Sequence, residues 1–152
     1  MKALLFFVSL LSFVFAEPYT FLVKQYDKEV ELEAKIISNI ANASTSNKIH
    51  LFIPEISQSE KEIYANFFTL VNDCSQANFV FVKKQLNIDA LCQEKEKLFF
   101  TNNYQKLLSD NRYFGAFFWN KSRPNIVFIK QRLEDKHITL SSEYQQFIED
   151  FN

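Results

Sequence analysis

The chain has 152 residues, 47% of them hydrophobic and 16% aromatic, and a formal net charge of -1. That near-balance gives no electrostatic reason to bind nucleic acid or an anionic membrane. Gly115 is the single glycine, which excludes the glycine-rich loops that bring backbone amides close to a nucleotide's phosphates.

The first residues read as an export signal. Lys2 and the amino terminus are positive, Leu4 to Phe15 is apolar apart from Ser9 and Ser12, and Val14 and Ala16 are the small residues of a V-x-A pattern that precedes a cleavage point. Positive, apolar and small, in that order, is the pattern of a secretory signal peptide. Cleavage after Ala16 is therefore expected, leaving residues 17–152 as one extracytoplasmic domain. The apolar run is too short for the roughly 20 residues that cross a bilayer, so an uncleaved anchor is the weaker alternative. Pro18 is expected to break any helix continuing from the leader. No cysteine follows the cut, which argues against a lipid anchor, and no later segment is apolar enough to span. Scarce glycine with abundant Phe, Lys, Asn and Ile matches the coding bias of an AT-rich bacterial genome. For an exported bacterial chain the compartment is the periplasm.

Taken in chain order, Tyr26 to Ala43 repeats apolar residues at Val30, Ala34, Ile37 and Ala41, which predicts a helix with Lys28, Glu29, Glu33 and Lys35 on its polar side. Lys48 to Ile53 is a strand stopped by Pro54, with Ile49, Leu51 and Ile53 on one face. Ser59 with Glu62 predicts a capping box, and the spacing of Ile63, Phe67, Leu70 and Val71 continues that helix. Asn78 to Val82 is a second strand, Asn87 to Glu94 a short helix, Leu98 to Thr101 a third strand, and Tyr104 to Ser109 another short helix. Tyr113 to Trp119 and Ile126 to Lys130 are strands joined by a turn over Asn120 to Asn125 that contains Pro124. That link is too tight for a parallel crossover, so the two form an antiparallel hairpin. Ser142 with Gln145 opens a last helix through Tyr144, Phe147 and Ile148. Strands apolar on both faces, separated by helices, predict a single three-layer α/β domain, a mixed sheet of about five strands covered by helices. No repeat or interdomain linker interrupts it.

Cys74 and Cys92 are an even pair in an exported chain, which favours a disulfide, with two buried thiols the alternative. A strand followed by a returning segment brings the two positions into bonding reach. Nothing resembles the C-x-x-C of a redox-active pair. His50 and His137 lie far apart and have no clustered ligands, so neither marks a metal site. No nucleophile-elbow pattern is present, and neither a cofactor nor a catalytic set is expected. Glu29, Glu31 and Glu33 read as a solvated helix face. Asn42-Ala43-Ser44 and Asn120-Lys121-Ser122 fit the glycosylation pattern, a coincidence in a bacterial chain.

The segment Tyr113-Phe114-Gly115-Ala116-Phe117-Phe118-Trp119 is the most unusual. Strict alternation puts Tyr113, Phe117 and Trp119 on one face and Phe114 and Phe118 on the other. Either the strand lies between two helical layers, or one face is covered by another protein. In the second case Tyr113, Phe117, Trp119, Lys121 and Arg123 are the interface candidates, with Lys130 and Arg132 completing a basic rim.

The stretch Arg123-Pro124-Asn125-Ile126-Val127-Phe128-Ile129 through Leu140-Ser141-Ser142 resembles the end of the YfiR-like family of small periplasmic proteins. There a strand runs into a helical turn, and an I-x-L/I-S-S step leads to a final helix; Ile138, Leu140, Ser141 and Ser142 stand at that step. A first helix built around an alanine (here Ala34) and followed by a strand (here Ile49 to Ile53) is also similar. The family's tryptophan-proline step is replaced by Ala43-Ser44-Thr45, and its glycine after the first strand by Pro54-Glu55. The resemblance implies a non-enzymatic regulator that restrains a membrane-bound diguanylate cyclase through its periplasmic domain, with redox-sensitive cysteines. It carries no binding residue across. The expected function is thus an interaction or regulatory module partnered by another protein, with a homodimer as the other option. A small-ligand-binding domain with an aromatic-lined pocket is the alternative, and an unrecognised hydrolase a distant third.

Overall fold

The computed structural model describes residues 17–83, 88–93 and 96–151; the expected leader, residues 1–16, lies outside them. Helix α1 runs over Glu17–Ser44. Its stripe of Val30, Ala34, Ile37, Ile40 and Ala41 is buried, as the 3.6-residue period requires. Pro18, expected to break a helix, falls within α1 as bounded, in the first turn, where a missing N–H is tolerated. Strand β1 (His50–Phe52), α2 (Gln58–Tyr64), β2 (Thr69–Leu70), β3 (Phe79–Val82), β4 (Leu98–Thr101) and α3 (Tyr104–Ser109) follow. Then come β5 (Tyr113–Asn120), β6 (Arg123–Ile129), α4 (Lys130–Asp135) and β7 (Ile148–Glu149).

The seven strands form one sheet in the order β2-β1-β3-β4-β5-β6-β7. The first five are mutually parallel, β5 and β6 pair antiparallel, and β7 returns parallel to β6. The mixed α/β sheet is as expected; the strand number is seven, because β2 and β7 add two short edge strands. Each face has its own core. Val30, Ile37, Tyr64, Phe81, Phe114, Phe117, Leu133 and Tyr144 pack on one side under α1, α2 and α4. Phe52, Cys74, Cys92, Phe99, Leu107 and Tyr113 pack on the other. The link from β1 to β2 runs on the first face through α2, while the later links place Cys74, Cys92 and Leu107 on the second. A change of face where the strand order reverses is what right-handed crossovers demand. The reversal falls between β1 and β3.

Several local expectations are corrected. The capping box is Ser57 with Glu60, two residues before the predicted pair. The second helix stops at Tyr64, and Leu70 becomes part of β2, where Val71 N–H donates to the Leu51 carbonyl at 2.9 Å. Ile63, Phe67 and Leu70 satisfy a helical spacing, but pairing beside β1 wins for the β-prone Thr69–Val71 run. Within the predicted Asn87–Glu94 helix, the described residues 88–93 form a single turn closed by Cys92 N–H on the Ile88 carbonyl. The hairpin link is two residues, Lys121 and Ser122, both with positive φ (48° and 61°), because primed turns match the twist of the flanking strands. Pro124 is inside β6, opposite Trp119. Its missing N–H is tolerated there because β7 reaches only Phe128 and Ile129. The predicted final helix is a 3-10 segment, Ser142–Phe147, without a side-chain cap.

The aromatic strand does not alternate strictly. The β4–β5 register shifts from Phe99↔Tyr113 to Phe100↔Gly115, an extra residue that acts as a bulge. Tyr113 therefore faces the second core, whereas Phe114 and Phe117 face the first. A side chain at Gly115 would meet the Phe100 ring at 2.6 Å, the Phe128 ring at 2.7 Å and the Val127 carbonyl at 2.8 Å. The lone glycine is what lets Phe100, Phe114 and Phe128 close over the bulge, with Phe100 and Phe114 ring centroids 5.3 Å apart.

Candidate functional site at the carboxyl edge of the parallel strands

Three charged side chains converge just beyond the ends of β1 and β3. Glu33 interrupts the apolar stripe of α1, one helical step from Val30 and from Ile37, and is only 5% exposed. It was expected on a solvated face; the stripe instead carries it under the fold. Glu60 is placed by the α2 capping box: its Oε2 accepts from the Ser57 N–H at 3.1 Å and the Ser57 hydroxyl at 2.7 Å. Lys83 is the first residue after β3. Its Nζ lies 2.7 Å from Glu33 Oε1 and 2.6 Å from Glu60 Oε1, and 5.6 Å from the centre of the Tyr64 ring. Tyr64 donates to Glu33 Oε1 at 2.6 Å and Tyr26 to Glu60 Oε1 at 3.2 Å. One ammonium thus ties α1 and α2 to the end of β3. Two carboxylates around it leave the cluster one charge negative.

Four groups of the cluster are shifted. Burial pushes the Glu60 carboxyl up, but hydrogen bonds from Lys83 and Ser57 outweigh it and hold the group at about 2. Burial works against the Lys83 ammonium, and the facing Glu33 and Glu60 overcome that and raise it. Burial, then the Glu33 charge, raises the Tyr64 phenol; burial, then Glu60, raises that of Tyr26. Each of these four is displaced away from neutrality, so none exchanges a proton near pH 7.

Above the cluster opens a cleft of about 350 Å³, lined by Tyr26, Glu29, Glu33, Glu55, Lys83 and Trp119 among others. Its floor follows from topology: Lys83 succeeds β3, Asn102 succeeds β4, and Trp119 is near the end of β5, all parallel. This is the carboxyl edge at the strand-order reversal, where open α/β sheets form a natural crevice. Tyr26 and Trp119 are 49% and 38% exposed. Trp119 is braced edge-on by Phe117, ring centroids 5.6 Å apart.

Of the interface candidates, the structure separates two from three. Tyr113 and Phe117 are fully buried in the chain's own cores and offer no outer surface. Burial raises the Tyr113 phenol, whose oxygen is the single buried side-chain polar atom without a hydrogen-bond partner among the described residues. Trp119, Lys121 and Arg123 are exposed together at the hairpin tip. The expected basic rim is incomplete. Arg132 Nη1 is committed to the carbonyls of Leu107, Asp110 and Tyr113 at 2.6, 3.0 and 2.7 Å, and Lys130 lies 3.6 Å from Asp150. Cys74 and Cys92 are bonded, with Cα atoms 5.5 Å apart, in the second core. His50 is in β1, and His137 follows α4 at φ 55°. Among the described residues no three potential metal-ligating side chains gather, and no described helix is long and apolar enough to cross a membrane.

Sequence reasoning passed over Glu33, Glu60, Lys83 and the two tyrosines. Two signals were available: a glutamate on the buried stripe of a helix, and a lysine directly after an apolar strand. No family model matches the chain, and no curated protein or solved structure does.

Proposed function

We propose that the chain is an exported, non-catalytic regulatory module of the YfiR-like kind, which binds the extracytoplasmic domain of a membrane-bound signalling protein. The observation that carries this reading is the β5–β6 arm. β4 pairs with β5 only as far as Ala116, and β7 with β6 only at Phe128 and Ile129. Phe117 to Ile126 therefore form a two-stranded ribbon reaching beyond its neighbours, with Trp119, Lys121 and Arg123 at its end. An exposed tryptophan beside two cations is the composition of an interface anchor, tryptophan and arginine being enriched where binding energy concentrates. The shifts of Glu60, Lys83, Tyr64 and Tyr26 away from neutrality disfavour these four as acid–base catalysts. The bonded Cys74–Cys92 pair suits an oxidising compartment, and the amino-terminal pattern supplies the export signal.

The test is capture from detergent-solubilised membranes by the chain beginning at Glu17. The wild type should retain a membrane-anchored signalling enzyme that Lys121→Glu with Arg123→Glu does not retain. Equal recovery by both proteins would refute the arm as the contact. The alternative reading, a small-ligand-binding domain, is favoured by the cleft, whose volume is in the range of small-molecule sites. The two are compatible, since Trp119 belongs to both the arm and the cleft wall.

A further inference from the structure

We infer that the carboxyl-edge cleft binds a small organic ammonium ion, an amine or methylated amine on a short stem. The inference concerns the cleft alone and holds whether or not the arm contacts a protein. Its first support is a buried carboxylate in the cleft wall. Glu33 is 5% exposed, directs Oε1 to both Tyr64 and Lys83, and lines the cleft. A largely buried carboxylate at a cavity wall is an acceptor that rewards a charged donor.

The second support is independent of the acids. The two large exposed aromatics of this edge, Tyr26 and Trp119, line the same cavity. Each is held: Tyr26 by its hydroxyl on Glu60 and Trp119 by Phe117. Aromatic faces attract ammonium ions, tryptophan most strongly, and methyl groups on the nitrogen add apolar contact without removing the charge. Glu29 and Glu55 stand exposed at the rim, so four carboxylates face one internal ammonium. An anion would meet net repulsion, and a neutral ligand would gain nothing from the excess of carboxylates. A peptide exceeds a cavity of about 350 Å³.

Trp119 is the only tryptophan in the chain, so its fluorescence reports on the cleft without a label. The chain beginning at Glu17 would be titrated with tetramethylammonium, butylammonium and choline at constant ionic strength. Sodium chloride and 3,3-dimethylbutanol, the uncharged isostere of choline, are the controls, and calorimetry runs in parallel. The expected result is a saturable change with at least one ammonium ion, and about tenfold weaker binding of the isostere, the equivalent of one lost charge contact. Glu29→Gln with Glu55→Gln, both at the exposed rim, should weaken binding about threefold to tenfold without altering the fold. Glu33→Gln should weaken it further. No saturable response to any of the three ions, a response equal to that of the isostere, or binding unchanged in the rim variant would each overturn the inference. Lys121→Glu with Arg123→Glu should keep ammonium binding while losing the protein partner, so the two readings fail separately.

Discussion

Opening the Cys74–Cys92 bond removes no atoms and breaks no packing, so its effect isolates the cross-link. The bonded residues are separated by 18 positions. In the chain-entropy treatment a loop of that size stabilises the fold by about 3 kcal/mol, by restricting the unfolded chain. Against a total of roughly 5–15 kcal/mol for a typical domain, that is a substantial share. Both half-cystines are almost fully buried, at 2% and 3% exposure, so the bond should resist reductant until the protein opens. The assay is urea unfolding of oxidised and fully reduced protein at neutral pH. With a urea slope of about 1.5–2 kcal/mol/M for this size, reduction should lower the midpoint by about 1.5–2 M. It should also steepen the slope, since an unlinked unfolded chain exposes more surface. Two titratable thiols in protein purified under oxidising conditions, or superimposable curves for the two forms, would refute the reasoning.

Gly115→Ala should destabilise by about 2–3 kcal/mol, because the added carbon meets two core rings and the Val127 carbonyl, and the last cannot yield without opening β5 from β6; an unchanged urea midpoint would contradict the bulge. Lys83→Met should cost about 3–5 kcal/mol at neutral pH by leaving Glu33 and Glu60 facing each other. The pH profile has a sign. Glu60 is held at about 2 against an ordinary 4.5, so it contributes stability above pH 4.5, and that contribution is lost as pH falls towards 2. The acid limb of wild-type unfolding should show this loss in full and that of Lys83→Met a smaller one, since Ser57 still holds the carboxylate down; parallel limbs would exclude Lys83 as a cause. Lys121→Asn with Ser122→Gly supplies the residues that prefer two consecutive positive-φ positions, and should raise the thermal midpoint by the equivalent of about 1 kcal/mol. A fall would mean the turn is not the two-residue type.

What was legible in the sequence is what periodicity and composition control. The α1 stripe, β3, β4, α3 and the antiparallel hairpin could be read because apolar spacing decides them. The cysteine pair could be read because an even count and the direction of the chain decide it. Where two physical rules compete over few residues, the sequence is ambiguous. Ser57, Ser59, Glu60 and Glu62 offer two overlapping capping boxes, and the earlier one forms. Thr69–Leu70 and Ile148–Glu149 are too short to carry a period, and become strands only because a sheet edge stands beside them. The bulge at Phe114–Gly115 reverses which aromatics share a face, and a lone glycine was the only hint. The cleft was hidden for a different reason. Glu33, Glu60 and Lys83 come from three elements far apart in the chain, and only the parallel order of β1 and β3 brings them together.

The most direct test of the central claim places a photo-cross-linking amino acid at position 121 in cells that export the protein, with the same probe at Lys35, exposed on α1, as the comparison. If the chain regulates a partner through its β5–β6 arm, irradiation should join position 121, and not position 35, to the extracytoplasmic domain of a membrane-anchored signalling enzyme. The activity of that enzyme in isolated membranes should fall when the purified chain is added. An adduct of equal yield from both positions, or no adduct from position 121, would contradict the account.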